Sequence, residues 1–165
     1  MMYLLDANIF IESHKVHYNL KVFPCFWDKL IELAKQGVVF TLDKVQRELT
    51  AGGDDVSDWF KSYFPADSIL PTDEHTFASY QKVLNDVKGL NRYKSFALNA
   101  FADPEIADPF LCAYAMSHLG FSVVTYEKSH PDRITKVILP DVCAMEGVSC
   151  SRLIPMLMEL GVVFK

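Results

Sequence analysis

The stretch Tyr3-Leu4-Leu5-Asp6-Ala7-Asn8-Ile9-Phe10-Ile11 decides the fold class of this chain. A short apolar run ends in the carboxylate of Asp6, and an apolar pattern with helical spacing begins directly after it. This order is typical of a strand followed by a helix, the repeating unit of a parallel sheet. Open parallel sheets bind ligands at the carboxyl ends of their strands, so Asp6 is a candidate ligand for a divalent cation.

The same alternation of strands and helices is predicted further along the chain. Further strands are predicted at 38–40, 121–125 and 136–139, with an edge strand at 162–164. Helices are predicted at 24–36, 42–50, 54–64, 109–119, 141–146 and 151–160, and a helix-rich segment at 72–102 breaks at Gly89. We expect a single domain over residues 1–165, of class α/β, with a central, mainly parallel sheet and a helical excursion in the middle of the chain.

The composition excludes several classes of protein. Half of the 165 residues are hydrophobic, which argues against disorder, and no apolar run approaches the roughly 20 residues of a membrane span. The first residues lack the basic region of a secretory signal, so we expect a cytoplasmic protein without a membrane partner. The four cysteines form no C-x-x-C pair, and we expect buried reduced thiols rather than a zinc site.

A net charge of −5 argues against a broad electrostatic grip on nucleic acid, which draws on many contacts from lysine and arginine to phosphate. It leaves room for an enzyme that holds phosphate through metal ions and a local basic patch. The candidates for that patch are Lys44, Arg47, Lys88, Arg92 and Lys94.

Five acidic residues follow or flank the predicted strands: Asp6, Glu48, Asp108, Glu127 and Asp141. If the strands are parallel, Asp6, Glu127 and Asp141 lie at one edge of the sheet, and Glu48 and Asp108 reach it from flanking helices. Each acid also has an ordinary interpretation, such as a helix cap or a solvated surface charge. Clustered carboxylates repel one another, however, and a fold that gathers them normally supplies a cation. Oxygen ligands without His or Cys favour Mg²⁺ or Mn²⁺, which suit hydrolysis of phosphodiesters.

The segment Leu5–Ile11 resembles the opening of PIN-domain nucleases, a strand that ends in Asp-x-Asn and leads into an apolar helix. The helix bearing Glu48 resembles the segment with their second acid, and 108–115 resembles the segment with their third. The late sequence Leu139-Pro140-Asp141-Val142-Cys143 is similar to that of an uncharacterised prokaryotic PIN-like subfamily. Where the family pattern has Thr-x-Asp, this chain has Thr125-Tyr126-Glu127.

The resemblance implies a PIN-like three-layer α/β/α sandwich and a metal-dependent endonuclease, in most relatives a ribonuclease. Asp6, Glu48 and Asp108 would hold Mg²⁺ or Mn²⁺, with Glu127 or Asp141 as the fourth acid. Asn8 and Thr125 would orient these carboxylates from behind. Many relatives are toxins of toxin–antitoxin modules, so the implied partners are an RNA substrate, a cognate antitoxin and a second copy in a homodimer.

Competing functions fit the sequence less well. A phosphoacceptor receiver domain lacks its mid-chain strand-end Asp, because only Thr41 follows the strand that ends at Phe40. A haloacid-dehalogenase-type phosphatase needs an Asp where Asn8 stands, and no Gly-rich strand-to-helix turn supports a P-loop or dinucleotide site. The alternative that stays open is a catalytically silent PIN-like module that binds protein or RNA.

Overall fold

The central layer of the structure, a computed structural model that describes residues 1–165, is a five-stranded parallel sheet. The strands are β1 (Met2–Leu5), β2 (Val39–Leu42), β3 (Ile69–Leu70), β4 (Phe121–Val124) and β5 (Cys150–Ser151). They lie in the order β3-β2-β1-β4-β5, and each neighbouring pair is parallel.

Nine α-helices pack around this sheet. They are α1 (Ala7–Glu12), α2 (Pro24–Lys35), α3 (Asp43–Thr50), α4 (Asp55–Tyr63), α5 (Glu74–Gly89), α6 (Ser95–Phe101), α7 (Asp108–Ser117), α8 (Leu139–Met145) and α9 (Leu153–Glu159). Leu4 and Leu5 are successive residues of β1 and both are fully buried. Because successive side chains of a strand point to opposite faces, both faces of the sheet are covered, and the expected α/β/α sandwich is confirmed. No helix combines the length and the apolar character that a membrane crossing requires.

Strand β1 occupies the centre of the sheet, and the chain order reverses there. Leu4 is aligned with Phe40 of β2 on one side and with Val123 of β4 on the other. The backbone N–H of Asp6 donates to the carbonyl of Val124 at 3.0 Å, so the pairing of β1 with β4 extends to Asp6. Ligand sites of open parallel sheets form at such a switch point, beside the carboxyl ends of the strands.

The predicted helical excursion is confirmed between β2 and β4. Helix α5 ends at Gly89 and α6 begins at Ser95, as the break at Gly89 predicts. Helix α5 packs along α7, where the rings of Tyr80 and Phe110 stack with their centroids 4.1 Å apart. This packing carries α6 and the start of α7 to the carboxyl edge of the sheet.

An aromatic cluster on α1, α2 and α4 forms one part of the core. The ring of Phe10 meets the edge of Phe60 at 5.5 Å between centroids, Phe60 stacks on Phe64 at 4.7 Å, and Trp27 meets Trp59 at 4.7 Å. All five residues are buried. These aromatic side chains therefore serve core packing, which their helical spacing favours over a role in stacking nucleobases.

Two predicted strands are wrong. The 136–139 segment is no strand: Val137 and Ile138 are buried, but the chain turns there into α8, with Pro140 in its first turn. The 162–164 segment lies outside the sheet, whose real edges are β3 and β5. A strand of two residues is too short to show the alternation of apolar and polar residues by which strands are recognised from sequence. A short apolar run before a helix has the same sequence pattern as a buried strand.

Candidate active site

Asp6 lies where β1 passes into α1, and its carboxyl group is buried. The residue is 4% exposed, and it stands at the N-cap position of α1 without making a side-chain capping bond. Its Oδ2 instead accepts a hydrogen bond from the hydroxyl of Thr125, the residue after β4, at 2.8 Å. A capping role therefore does not account for Asp6.

Thr125 and Asn8 connect the ends of the two central strands behind Asp6. The amide of Asn8 donates from Nδ2 to Thr125 Oγ1 at 2.8 Å, and Asn8 Oδ1 accepts from the backbone N–H of Tyr126 at 3.0 Å. Thr125 Oγ1 also accepts from the backbone N–H of Glu127 at 3.1 Å. This network holds the Asp6 carboxyl group in one orientation and ties the segment after β4 to it.

Five acidic side chains line a single cavity of about 410 Å³ at the carboxyl edge of the sheet, and one of them, Glu12 at the end of α1, was not predicted as a site residue. The four predicted acids among them are Asp6 after β1, Glu48 in α3, Asp108 at the start of α7 and Glu127 after β4. Asp108 lies in the first turn of α7, whose N-cap position is held by Ala107. The structure thus brings together four of the five acids predicted from the sequence, from four separate parts of the chain.

Burial and neighbouring negative charges raise the proton affinity of Asp6 and Asp108. Burial raises the pKa of Asp6 well above its usual value, and the charges of Asp108, Glu48 and Glu127 raise it further. Burial, followed by the charges of Glu127 and Glu48, raises the pKa of Asp108 from 3.8 to about 7. Burial also raises the pKa of Glu48, against a backbone hydrogen bond at Ala107 that lowers it. The groups of the pocket therefore compensate little of the negative charge that Asp6 and Asp108 would carry when ionised, and the metal-free pocket favours their protonated forms.

Glu127 is the one acid of the pocket that pairs with a lysine. Its Oε1 pairs with Nζ of Lys136, and its Oε2 accepts the backbone N–H of Leu139 at 3.0 Å. Lys136 is the only Lys or Arg that lines the cavity, and none of the five residues of the predicted basic patch reaches it. Lys136 was not predicted as a site residue, because the sequence pattern placed it in a strand.

Asp141 is not brought into this pocket. Its carboxylate accepts hydrogen bonds from the Ser129 hydroxyl at 2.5 Å and from the backbone N–H of His130 at 3.0 Å, and it lines a separate cavity of about 430 Å³ beside Arg92. The predicted convergence depended on a strand at 136–139. Because α8 begins there instead, Asp141 lies inside the first turn of a helix, where it fastens the preceding loop.

The opposite wall of the cavity is apolar and was also not predicted. Helix α6 contributes Phe96, Ala97, Ala100 and Phe101 to it. Phe96 is 61% exposed, whereas Phe101 is buried. The helical pattern of 95–101 shows that a helix forms but not where it docks, so only its packing could place this wall beside the acids.

The donor set suits a hard divalent cation. All five acids that line the cavity offer oxygen, and the lining contains no His or Cys. As they stand, no three His, Cys, Asp or Glu side chains lie in a geometry that would ligate one metal ion. The four cysteines are free thiols; Cys112 and Cys143 are buried as expected, whereas Cys25 is exposed and Cys150 is half-buried.

Comparison of the sequence with models of protein families gives a match over residues 3–164, to the family described as Domain of unknown function (DUF4411). The chain belongs to the DUF4411 family. No curated protein matches the sequence of this DUF4411 chain.

Solved structures share the fold of this DUF4411 protein. FitAcB from Neisseria gonorrhoeae matches with a TM-score of 0.56 and 20% identity, over 90% of this chain and 96% of that one. VapBC2 from Rickettsia felis, bound to a DNA fragment from its promoter, matches with a TM-score of 0.57 and 14% identity, over 92% and 98%. FitAB bound to an IR36 DNA fragment matches with a TM-score of 0.53 and 21% identity, over 92% and 94%. These likenesses confirm the PIN-like fold.

Proposed function

We propose that this DUF4411 protein is a metal-dependent endonuclease, in the first place a ribonuclease, and that residues 1–165 form one catalytic domain. The observation that carries the proposal is the convergence of Asp6, Glu48, Asp108 and Glu127 on one cavity. Asp6 stands at the N-cap position of α1 without making a side-chain capping bond, so capping does not explain its presence. A dication offsets the repulsion from neighbouring carboxylates that raises the pKa values of Asp6 and Asp108.

Asp6, Glu48 and Asp108 would hold one or two Mg²⁺ or Mn²⁺ ions, with Glu127 as the fourth acid in place of Asp141. When bound, the ions would supply Lewis-acid stabilisation of the scissile phosphate and activation of water. Thr125 and Asn8 keep the Asp6 carboxyl group oriented toward the cavity. The apolar wall of α6 narrows the access of bulk water to the acids.

The proposal extends to a toxin of a toxin–antitoxin module with an antitoxin as partner. It is supported by the fold that this chain shares with FitAcB, FitAB and VapBC2. Induced expression of the wild-type chain is expected to arrest growth of a bacterial host, and the Asp6→Asn variant is expected not to. Growth arrest by both variants alike would separate toxicity from the acidic pocket.

The decisive experiment measures cleavage of a panel of RNAs and single-stranded DNA with Mn²⁺, Mg²⁺ or a chelator. Asp6→Asn is expected to lower the rate by at least about 100-fold, the scale of losing a group that stabilises transition-state charge. Asp103→Asn is the matched control, because Asp103 is exposed, lies outside the cavity and can keep its contact to the backbone of Glu105 as Asn. Equal activity of Asp6→Asn and wild type would remove Asp6 from the mechanism.

A silent binding module is the second candidate, and the Lys136 contact to Glu127 favours it, because an internal cation already compensates part of the charge. Thermal melting separates the two functions. A metal at 100 times its dissociation constant stabilises a protein by about 2.7 kcal/mol. A nuclease is expected to show this gain with Mn²⁺ over chelator, and a silent module without a metal site is expected to show none.

A further inference from the structure

Lys136 belongs to the segment between β4 and α8, which forms one wall of the acidic cavity through Thr135, Lys136 and Val137. The segment is fastened to the start of α6, because the backbone N–H of Lys94 donates to the carbonyl of Ile134 at 2.9 Å. Val137 is buried and anchors the other side. The backbone around Lys136 is therefore held in place, and its side chain reaches the acids from a fixed point.

Both oxygens of Glu127 are occupied in this arrangement. Oε1 pairs with Lys136 Nζ, and Oε2 accepts the backbone N–H of Leu139. The Glu127 side chain is 15% exposed, so its interaction with Lys136 is shielded from water on most sides. The positive charge of Lys136 is felt beyond Glu127, since it also acts on Asp108.

The ammonium group of Lys136 is also able to move away from Glu127 into solvent. Its side chain is 49% exposed, and Glu127 is its only hydrogen-bonded or ion-paired partner. A lysine side chain is a point charge on a flexible four-carbon stem, which reaches solvent by rotation alone. The contact is thus strong enough to orient Glu127 and loose enough to be displaced.

We propose that Lys136 is an internal counter-cation that holds Glu127 in the metal-free protein and competes with the divalent ion for it. The inference rests on the metal site proposed above, and it makes Lys136 a positioning residue. A dication and an ammonium group at Oε1 of Glu127 repel each other, so binding of the ion there is expected to displace Lys136 into the mouth of the cavity.

The test is the affinity for Mn²⁺ of the full chain without nucleic acid, measured by calorimetric titration. Lys136→Met, which keeps the stem and removes the charge, is expected to bind Mn²⁺ about tenfold more tightly than wild type, since it removes the competing cation. Lys136→Arg retains the charge and is expected to bind as wild type does. Lys128→Met is the control for loss of one positive charge, because Lys128 is exposed and lies outside the cavity.

The outcomes show whether the competition by Lys136 alone or the metal site itself is wrong. If wild type binds Mn²⁺ and Lys136→Met binds it equally or more weakly, the competition is overturned and the metal site stands. If no variant binds Mn²⁺, both are overturned. If the metal-free melting temperature of Lys136→Met falls while its stabilisation by Mn²⁺ grows, both halves of the exchange are supported. A loss of packing alone would lower the melting temperature without tightening the binding of Mn²⁺.

Discussion

Asp108 shows how strongly the pocket acts on a single residue. A carboxylate in the first turn of a helix normally gains about 0.3–1 kcal/mol from the helix dipole, which favours its charged form. Asp108 has the opposite behaviour, since burial and the charges of Glu127 and Glu48 raise its pKa from 3.8 to about 7. Such a rise corresponds to about 4 kcal/mol against the charged form, so the pocket outweighs the dipole.

This shift predicts how the stability of the metal-free protein depends on pH. The Asp108 carboxyl group retains its proton up to about pH 7 when folded, whereas the unfolded chain releases it near 3.8. The stability that protonation contributes is therefore full below 3.8 and is lost as pH rises through about 7. Asp108→Asn never ionises, and it is expected to stabilise the metal-free protein by about 1–3 kcal/mol at pH 8 and by little at pH 4. Urea unfolding in chelator at both pH values measures this difference.

If Asp108→Asn raises the free energy of unfolding no more at pH 8 than at pH 4, then ionised Asp108 does not destabilise the metal-free protein, and the prediction is wrong. The nearby Asp103→Asn variant is the control, because Asp103 is exposed and does not line the pocket. Mn²⁺ at saturating concentration is expected to reverse the order of stability of wild type and Asp108→Asn. The carboxylate that destabilises the empty pocket is then a ligand.

At the scale of elements, α4 shows how one helix serves the core with one side only. Phe60 is 1% exposed and contacts Phe10 and Phe64, whereas Tyr63 on the same helix is 62% exposed. The helix is capped by Asp54, whose side chain accepts the backbone N–H of Ser57 at 2.9 Å. Because α4 packs against Phe10 of α1, it supports the helix that follows Asp6.

The two aromatic residues of α4 are expected to respond very differently to truncation. Phe60→Ala leaves a cavity in the aromatic cluster and is expected to lower the free energy of unfolding by about 3–5 kcal/mol. Tyr63→Ala, on the exposed side of the same helix, is expected to change it by less than about 0.5 kcal/mol. Denaturant unfolding of both variants tests this, and similar losses would contradict the orientation of α4.

At the scale of the whole molecule, the central strand of the sheet is more buried and more extensively paired than the edge strands. Strand β1 is paired on both sides and its last three residues are buried, whereas the two-residue strand β3 at one edge is only partly buried. The acidic site is attached to this central pairing, because Asp6 follows β1 and Thr125 follows β4, the two strands that pair at the centre of the sheet.

Hydrogen exchange is expected to follow this division. The amides of Tyr3–Leu5 and Asp6 should exchange only through global unfolding, because they lie in the most buried pairing of the sheet. The amides around Ile69–Leu70 should exchange through local opening, at least about tenfold faster. Exchange followed by mass spectrometry at native pH measures both segments, and equal protection would show that the edge shares the stability of the centre.

Much of the fold was predictable from local patterns. The turn from β1 into α1, the helix that carries Glu48 and the helix that begins at Asp108 each show a strong period or a proline signal within a dozen residues. A pattern of this length reflects interactions between near neighbours in the chain, which act before any distant contact forms. For the same reason the break at Gly89 was predicted correctly, and the two-residue strands β3 and β5 were not predicted.

The identity and order of the acids are properties of the chain, and they suffice to suggest a dication and a PIN-like fold. Whether an acid reaches the pocket depends on distant packing. Asp141 follows an apolar run just as Asp6 does, yet its loop folds back and uses the carboxylate for Ser129 and His130. Lys136 enters among the acids through that same loop. Charges many residues apart meet only after the helices have docked, so the balance of charge in the pocket arises from the folded molecule and not from any one segment.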